Sequence, residues 1–328
     1  MDLSVIIVNY KSPELILECL KSVYAETKEI SFEIIIVDND SQDSSRQQIE
    51  EKYPDVQWIQ MAYNSGFSRA NNTGMKRAAG KYVLLLNSDT IILDGTLDKV
   101  IEQMSSETDV AAASVQLLNA DNSFQNAGNY FVIGGLNILL TLPVLNSVFR
   151  QAGTVMKVKK PSIQSSDKTN YVDWISGAFM LVKKDAMDKA GMLDEDFFLF
   201  SEEIEWCSRL RKVGKIAVYI NLRVIHLEGG TTKKLQVQKT HNYFEYWTPK
   251  GKQLLLSHLL RIRKQYSVVW FLINYVFFVL EIPVLFIAGL FSGKYSLRRA
   301  KIYAVNVFSL LAFFPKIIFR KPFFYKVM

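Results

Sequence analysis

Two carboxylates stand directly after apolar, strand-like segments of this 328-residue chain. Asp38 follows Phe32–Val37, and Asp89 closes the triplet Asn87-Ser88-Asp89 after Tyr82–Leu86. A carboxylate at a strand end can accept a hydrogen bond from the imide N–H of a pyrimidine. Beside a diphosphate, it can instead help to hold Mg²⁺ or Mn²⁺. Asp and Asn are equally typical of tight turns, so a purely structural role stays open for both residues.

A third acidic site is the segment from Ser201 to Cys207, which carries Glu202, Glu203 and Glu205. Apolar residues occupy positions 197–200 just before it, and a partly apolar wall can tune a carboxylate as a general base. The same acids could simply complement the dipole at the start of a helix. Downstream, His226 stands before a glycine pair, where it could serve either chemistry or structure.

Small and amide residues fill the segment from Asn64 to Gly74, which leads into a predicted helix. Free N–H groups and the dipole at a helix N-terminus favour an anion, so this segment suits a ligand that carries a diphosphate. The segment matches neither the GxGxxG fingerprint nor the Walker loop, and alone it does not define a ligand.

Strands and helices alternate along the first 90 residues and would position these side chains. The predicted strands are Leu3–Val8, Phe32–Val37, Val56–Met61 and Tyr82–Leu86, and the predicted helices are Glu14–Tyr24, Asp43–Lys52 and Asn71–Ala79. Short, uniformly apolar strands are typical of a parallel sheet that is covered on both faces. Ligands bind at the carboxyl ends of such strands, where the polar clusters fall. The sequence therefore predicts an α/β fold with a Rossmann-like, mostly parallel sheet.

The periodic pattern weakens in the middle of the chain. Residues 121–170 mix Gly, Asn and Ser with an apolar patch and a basic stretch, and we expect a long, mobile insertion near a binding site. Beyond it, the pattern predicts regular structure over Trp174–Val182, helices over Asp185–Ala190 and Ile204–Val213, and a strand over Ile216–Ile220.

Charge divides the chain into two parts. Residues 241–328 hold 13 Lys and Arg but only two acids, whereas residues 1–240 hold 26 basic and 30 acidic residues. We therefore predict a catalytic domain at 1–240 and an apolar, basic, helical membrane-associating region at 241–328, called the C-terminal region below. Anionic lipid suits this region better than nucleic acid, because its aromatic residues are clustered rather than interleaved with Lys and Arg.

The C-terminal region contains a 25-residue apolar run from Ser267 to Phe291, in which Glu281 is the only charge. That length could cross a bilayer, but basic residues flank both ends and Pro283 should kink a helix. We therefore favour a re-entrant hairpin or interfacial helices over a simple span, with a buried hairpin on the soluble domain as the alternative. A second apolar run, Ile302 to Pro315, is predicted to be too short to cross.

Two further features concern the compartment. Cys19 and Cys207 are too few for a disulfide framework and form no CxxC pair, which predicts a reducing compartment and no cysteine-based zinc site. The N-terminus lacks a basic start and a long apolar stretch, so no signal peptide is predicted. We expect the protein at the cytoplasmic face of the cell membrane.

Nine segments follow one another in a recognisable order. They are Ser4–Tyr10, Val37–Ser41, Asn64-x-Gly66-Phe67, Asn72-x-Gly74, Leu86–Thr90, Trp174–Phe179, Glu202–Cys207, Arg211-x-x-Gly214 and His226…Gly229. In this order they resemble the family-2 inverting glycosyltransferases of the GT-A fold. The resemblance covers about residues 3–232 and looks closest to the bacterial rhamnosyltransferase-like branch, which builds surface polysaccharides.

The resemblance implies a role for each matching residue. The nucleotide-sugar-binding residues would be Val8, Tyr10 and Asp38 at the base, Asn64, Gly66 and Asn72 at the diphosphate and ribose, and also Asn87 and Asp89. The acceptor would meet Trp174, Gly177, Glu202 and Trp206, the metal would meet Asp89 and His226, and Glu203 would be the catalytic base. Two departures from the family pattern matter: Asn-Ser-Asp replaces the DxD motif, and Glu202-Glu203 replaces a Glu-Asp pair.

The implied reaction is a single in-line displacement with Mg²⁺ or Mn²⁺ as cofactor. An acceptor hydroxyl, deprotonated by Glu203, would attack C1 of a UDP- or dTDP-linked sugar, with rhamnose as one candidate, and the anomeric configuration would invert. The implied acceptor is a lipid-linked saccharide. Two other functions stay open: a polyprenyl-phosphate sugar transferase, whose acceptor is a phosphate, and a catalytically inactive subunit that binds sugar nucleotides.

Overall fold

The computed structural model describes residues 1–155, 169–227, 245–291 and 295–328. These residues belong to two compact units. The first comprises Met1–Tyr130, Ser162–Asp194 and Trp206–Gln238, and the second comprises Phe131–Pro161, Glu195–Glu205 and Lys239–Met328. The predicted domain boundary at residue 240 lies outside the described residues. The segment that carries Glu202 and Glu203 belongs to the same unit as the C-terminal region.

The first unit is built on a mixed sheet. In chain order its strands are β1 (Leu3–Asn9), β2 (Phe32–Asp38), β3 (Gln57–Gln60), β4 (Tyr82–Leu86), β5 (Thr90–Ile92), β6 (Val110–Leu118), β7 (Gly128–Asn129), β8 (Asn170–Val172), β9 (Trp174–Ile175), β10 (Phe179–Lys183) and β11 (Lys215–His226). The main sheet has the order β3-β2-β1-β4-β10-β6-β11-β5, with β8 also paired to β11, while β7 and β9 form a separate pair.

The strands β1 to β4 run parallel to one another, and β10 enters antiparallel between β4 and β6. Nearly all residues of β1, β2 and β4 are buried, as expected for strands covered on both faces. The pairing of Asn9 with Asp38 sets the ends of β1 and β2 side by side. The predicted mostly parallel α/β sheet is therefore confirmed, and its polar carboxyl edge is where ligands bind in such sheets.

In chain order the helices are α1 (Pro13–Glu26), α2 (Ser45–Glu50), α3 (Gly66–Met75), α4 (Thr96–Ser106), α5 (Asn146–Val155), α6 (Lys184–Ala190), α7 (Glu202–Leu210), α8 (Pro249–Gln265), α9 (Val268–Phe291), α10 (Leu297–Ser309) and α11 (Phe314–Ile318), with 3-10 helices at Ile133–Thr141 and Leu310–Phe313.

Helix α3 begins at Gly66, well before the predicted start at Asn71. That prediction was wrong because Ser, Asn and Gly have low helix propensity, whereas here the side chains of Asn39 and Asn64 accept the N–H groups of Ser65 and Gly66.

Strand β11 is longer than predicted and reaches residue 226. Its pairing with β6 shifts register between Tyr219 and Arg223, and this irregularity hides the second half of the strand from a pattern search. Beyond the shift, β11 pairs with β5, and His226 lies opposite Thr90. The extra length is what carries His226 to the carboxyl edge of β4.

The predicted insertion at 121–170 contains helices in its described part after residue 130, and its mobility stays a prediction. Gly134 and Gly135 adopt positive φ angles of 61° and 71°. A Cβ atom at Gly134 would lie 2.0 Å from the Trp270 ring, and one at Gly135 would lie 1.8 Å from Ile262. The segment around Gly134 and Gly135 therefore packs closely on other helices of the second unit, and a local pattern cannot reveal such packing.

In the described part of the C-terminal region, two helical segments are long and apolar enough, by length and composition, to cross a membrane. One is Val268–Phe291, with 24 residues, and the other is Leu297–Ile318, with 22 residues. The prediction that the second run is too short was wrong, because the helix begins at the Ser296 cap, whose side chain accepts the N–H of Arg299. The basic residues between Leu297 and Ile302 are therefore part of the helical segment Leu297–Ile318 rather than outside it.

Candidate active site

Asp38 ends β2 and lies within a dense hydrogen-bond network at the carboxyl edge. It is only 2% exposed. Its Oδ1 accepts from the Ser41 N–H at 2.9 Å and from Gln60 Nε2 at 3.1 Å, and its Oδ2 accepts from Asn9 Nδ2 at 3.1 Å. The carboxylate thus joins the turn after β2 to the end of β1.

Val8 and Tyr10 lie beside Asp38, at the end of β1. Val8 is partly buried, while the Tyr10 side chain is 42% exposed. The Lys11 ammonium lies 5.6 Å from the centre of the Tyr10 ring. An exposed aromatic face at the carboxyl edge is suited to stacking on a planar base.

Asn39 organises the start of α3, and the sequence alone did not single it out. Its Oδ1 accepts from Ser65 N at 2.8 Å, and its Nδ2 donates to Asn64 Oδ1 at 3.1 Å. Asn64 Oδ1 also accepts from Gly66 N at 3.1 Å. The Asp-Asn-Asp-Ser run, which indicated only a turn, was the available signal for this residue.

Asn72 lies deeper in α3 and holds the chain rather than facing solvent. Its Nδ2 donates to Leu193 O at 2.9 Å, and its Oδ1 accepts from Leu193 N at 3.1 Å. Both polar ends of the amide are therefore engaged by backbone. The predicted contact of Asn72 with the diphosphate stays a prediction.

Asn87, Asp89 and His226 come together after β4, although His226 lies far away in the sequence. His226 Nε2 lies 3.2 Å from Asn87 Nδ2 and 3.3 Å from Asp89 Oδ1. The side chains of Asp89 and His226 are about a tenth exposed, at 10% and 12%. The two residues that the sequence assigns to the metal are thus neighbours at the carboxyl edge.

Gln125 determines which nitrogen of His226 carries the proton. Its Nε2 donates to His226 O at 2.6 Å and to Asn119 Oδ1 at 2.7 Å, so both amide hydrogens are used and the amide orientation is defined. Gln125 Oε1, which can only accept, lies 2.9 Å from His226 Nδ1. Neutral His226 therefore carries its hydrogen on Nδ1 and directs the lone pair of Nε2 towards Asn87 and Asp89.

The donor set at this point fits a divalent cation. A carboxylate and an imidazole nitrogen suit Mn²⁺, and Mg²⁺ accepts one or two carboxylates with the phosphates of the substrate. Within the ranges that the structure describes, no group of three or more His, Cys, Asp and Glu side chains could hold a metal ion. Asp89 and His226 would therefore supply two ligands and leave the others to the diphosphate and water.

Three predicted acceptor residues lie in the first unit. Trp174 pairs with Asn129 in the small sheet, and its Nε1 is buried with no partner among the described residues. Gly177 precedes Ala178, whose carbonyl accepts the Asn87 N–H at 3.0 Å. Trp206, however, is fully buried and donates from Nε1 to Gly191 O at 2.6 Å. This placement corrects the expectation for Trp206, which is a core residue in this structure.

Glu202 and Glu203 begin α7 in the second unit. The two preceding residues, Phe200 and Ser201, have positive φ angles of 73° and 69°. Glu202 is 3% exposed, and burial, with repulsion from Glu203 second, raises its pKa well above the usual value. Burial also raises the pKa of the partly buried Glu203, but the positive charge of Arg261 opposes this rise. The positive charge of Arg261 therefore favours the ionised form of Glu203.

A groove of about 510 Å³ lies at the start of β11, on the edge away from the polar strand ends. Two of its three cations are paired, Arg211 with Asp173 at 2.8 Å and Lys215 with Asp109 at 2.6 Å, and Lys212 is the third. The groove contains none of the predicted site residues.

The fold and these strand-end residues agree with the match to known proteins. Residues 4–181 match the model of the family described as Glycosyl transferase family 2. The chain belongs to this family. It is a glycosyltransferase with a GT-A fold, related to enzymes of bacterial surface glycan synthesis, as the motif order predicted.

Three relatives illustrate the similarity. A protein of Haloferax volcanii named low-salt glycan biosynthesis hexosyltransferase Agl10 is 28% identical over 216 residues, which cover 64% of this chain and 62% of that protein. The N-acetylglucosaminyl-diphospho-decaprenol L-rhamnosyltransferase of Mycobacterium tuberculosis is 23% identical over 260 residues, or 69% of this chain and 82% of that one. The O-antigen biosynthesis protein RfbC of Myxococcus xanthus is 23% identical over 77% of this chain, which spans only 20% of that protein.

Two solved structures share the fold. The mannosyltransferase PcManGT of Pyrobaculum calidifontis, in complex with GDP-Man and Mn²⁺, has a TM-score of 0.54 and 15% identity, with 97% of this chain and 87% of that chain covered. GalNAc-T7 with UDP, GalNAc and Mn²⁺ has a TM-score of 0.53 and 14% identity, over 85% of this chain and 57% of that one. At these identities the likeness shows the GT-A fold alone.

Proposed function

We propose that the protein is an inverting glycosyltransferase that moves a sugar from a nucleoside diphosphate to a hydroxyl of a lipid-linked saccharide. The observation that carries this proposal is the meeting of Asn87, Asp89 and His226 at the carboxyl edge of a family-2 sheet. This set matches the chemistry of a diphosphate leaving group, whose growing negative charge must be compensated.

The donor is UDP- or dTDP-linked in this proposal. The exposed ring of Tyr10 supports a stacked base, and in this proposal the carboxylate of Asp38 would accept the imide N–H of a pyrimidine. A purine offers no imide flanked by two carbonyls, so guanine and adenine should fit less well. The N-terminus of α3, which Asn39 and Asn64 shape, would favour the diphosphate.

Asp89 and His226 would hold a divalent cation, Mg²⁺ or Mn²⁺. When bound, this ion supplies positive charge that compensates the departing diphosphate. Gln125 would hold the His226 imidazole in the tautomer whose Nε2 can bind the ion.

The transfer step needs a base for the acceptor hydroxyl, and we assign this role to Glu203. As the hydroxyl oxygen attacks C1 of the donor sugar, its proton passes to Glu203, and the bond from C1 to the diphosphate breaks on the opposite face. The configuration at C1 therefore inverts. An acceptor phosphate would need no such base, and the positive charge of Arg261 acts on Glu203, so the polyprenyl-phosphate alternative is less suited to this site.

The sugar is a hexose or a deoxyhexose such as rhamnose, and the acceptor carries a lipid. These two assignments draw on the printed names of relatives, which include a hexosyltransferase and a rhamnosyltransferase that acts on a diphospho-decaprenol. Because the chain spans 62% and 82% of those two proteins, both assignments apply to this chain only as proposals.

The C-terminal region would hold the enzyme at the cytoplasmic face of the membrane. One face of α9 carries large apolar side chains that are 42% to 86% exposed: Val269, Leu272, Val276, Leu280, Ile287, Leu290 and Phe291. The opposite face buries Asn274 and Glu281, whose polar atoms bind the backbone of Gly134, Val144 and Leu145. This amphipathic arrangement supports the proposal that α9 lies on the lipid or enters it, while protein covers its polar face.

A thermal-shift panel on the full chain in detergent tests the donor and metal assignments. UDP and dTDP with Mn²⁺ should raise the melting temperature more than GDP or ADP, since ligand at 100 times its dissociation constant adds about 2.7 kcal/mol. Asp89→Asn should lose the Mn²⁺-dependent part of the shift. Asp109→Asn, at the edge away from the strand ends, is the matched control. Equal stabilisation by purine nucleotides would reject the base assignment, and an unchanged Mn²⁺ effect in Asp89→Asn would reject the metal assignment.

A further inference from the structure

Helix α8 presents one polar stripe to the segment before and within the start of α7. The stripe consists of Ser257, His258, Arg261 and Lys264, whose spacing places them on one side of a helix. All four residues lie in the C-terminal region. Ser257, His258 and Lys264 contact residues 196–201 of the same unit, and the positive charge of Arg261 opposes the rise in the pKa of Glu203. A helix that served only to reach a membrane would not need this polar side.

Two contacts of the stripe hold the approach to α7. Lys264 Nζ pairs with Asp196 Oδ2 at 2.7 Å, with both side chains less than a fifth exposed, at 19% and 18%. Ser257 Oγ donates to Leu199 O at 2.7 Å. The backbone that leads to the carboxylate pair is thus fastened at two points to α8.

His258 acts at the turn itself. Its Nδ1 lies 2.8 Å from Ser201 Oγ, while Phe200 and Ser201 are in the left-handed region. Non-glycine residues persist in that region only where their surroundings hold them. Burial, aided by Arg261, lowers the pKa of His258 to about 3, so the ring is neutral and acts here by hydrogen bonding.

Arg261 acts on the charge of the pair. It is 3% exposed, its Nη1 donates to Gln265 Oε1 at 2.8 Å, and its Nε has no partner within the described residues. In the described part of this unit, the charged groups that act electrostatically on Glu203 are Glu202 on α7 and Arg261 on α8. His258 and Tyr266 interact in turn with Arg261. The guanidinium is therefore the cation that can favour an ionised Glu203.

We propose that His258 and Arg261 are positioning residues for the carboxylate pair. His258 holds, through Ser201, the left-handed turn from which α7 begins, and Arg261, three residues further along the same side of α8, supplies the buried positive charge that favours an ionised Glu203. The C-terminal region is then part of the catalytic apparatus as well as a membrane-binding element. This inference rests on the role of Glu203 proposed above.

The test uses the full chain in detergent and measures release of UDP from UDP-glucose and UDP-N-acetylglucosamine and of dTDP from dTDP-rhamnose. Arg261→Gln should move the acidic limb of the kcat–pH profile upwards by about one unit, which lowers kcat on that limb about tenfold. Arg261→Lys should stay within about threefold of wild type, because it retains the positive charge. KM for the nucleotide sugar should not change, and Lys250→Gln, in the exposed first turn of α8, is the charge-matched control.

His258→Ala should lower kcat about tenfold or more without changing KM, and His258→Asn should restore part of the loss because its amide can reach Ser201 Oγ.

A second measurement, which does not depend on turnover, follows the protonation of Glu203. It couples glycine ethyl ester to Glu203 with a carbodiimide, a reaction that needs a protonated carboxyl. Arg261→Gln should increase this labelling at pH 6, as measured by mass spectrometry of the peptide.

Two outcomes separate this inference from the proposed function. If Glu203→Gln retains full transfer activity, the assignment of the base is wrong and this inference is lost with it. If Glu203→Gln is inactive while Arg261→Gln and His258→Ala keep the wild-type kcat, pH profile and labelling, only the positioning role is refuted. Melting temperatures identify any variant that fails to fold. If Arg261→Gln or His258→Ala fails to fold, the activities of Arg261→Lys and His258→Asn decide whether the positioning role holds.

Discussion

Replacing Glu203 by Gln should abolish sugar transfer while leaving donor binding intact. Glutamine keeps the size and most of the hydrogen bonding of glutamate, but it cannot take a proton from an acceptor hydroxyl. The donor-side residues described above, among them Asp38 and Asp89, are untouched by this change. The substitution therefore isolates the proton transfer from the binding of the nucleotide.

The expected loss is large, because the neighbouring acid cannot replace Glu203. Loss of a general base typically costs a factor of ~10²–10⁴ in rate, or roughly 3–5 kcal/mol of barrier. Glu202 is buried, and burial together with the charge of Glu203 raises its pKa well above the usual value. Burial therefore disfavours the ionised form of Glu202, which is the form that takes a proton, so we expect the loss to lie towards the upper end of this range.

The assay compares Glu203→Gln and Glu202→Gln in nucleotide release and in the thermal shift with UDP and Mn²⁺. Both variants should keep the thermal shift, and Glu202→Gln should lose much less activity than Glu203→Gln. If instead Glu202→Gln is inactive and Glu203→Gln transfers sugar at the wild-type rate, the base is the other member of the pair. If both variants stay active, no carboxylate at this site serves as the base.

Three other predictions concern metal affinity, pH and packing. Gln125→Leu should weaken Mn²⁺ binding about 10- to 100-fold in calorimetry with UDP present, because it frees the tautomer of His226. Folding raises the pKa of Glu202 above 4.5, so its contribution to stability is lost as pH rises, and Glu202→Gln should raise the melting temperature more at pH 8 than at pH 5. Gly74→Ala should cost about 1–3 kcal/mol in denaturant unfolding, because its Cβ would lie 2.6 Å from a buried side chain, whereas Gly153→Ala, with open space around it, should cost nothing.

The order of strands and helices over the first 90 residues could be predicted because it depends on local sequence. A run such as Leu3–Val8 is apolar and rich in β-branched residues, and it has few alternatives to a strand buried on both faces. The polar residues that end such strands then fall at one edge of a parallel sheet, whatever the details of packing. The placement of Asp38, Asn87 and Asp89 at that edge follows from these two facts.

The sequence predicted the bounds of helices and strands less well where tertiary contacts override local preference. Helix α3 begins among Ser, Asn and Gly because Asn39 satisfies its first donors. The insertion at 131–155 is helical because it packs on other helices of its unit. Strand β11 continues past a register shift because β5 pairs with its far half. In each case the stabilising partner is distant in sequence, so no pattern within the segment reports it.

The sequence by itself determined the family, the mostly parallel α/β sheet and the acids at its polar edge, because each is written in a contiguous motif. Only the tertiary structure decided that Gln125 orients His226, that Trp206 is a core residue, and that Arg261 and His258 of α8 serve the carboxylate pair. Hydrogen bonds and charge coupling act over a few ångströms in space. The chain brings those atoms together from distant positions, and packing of the whole unit selects which of them meet.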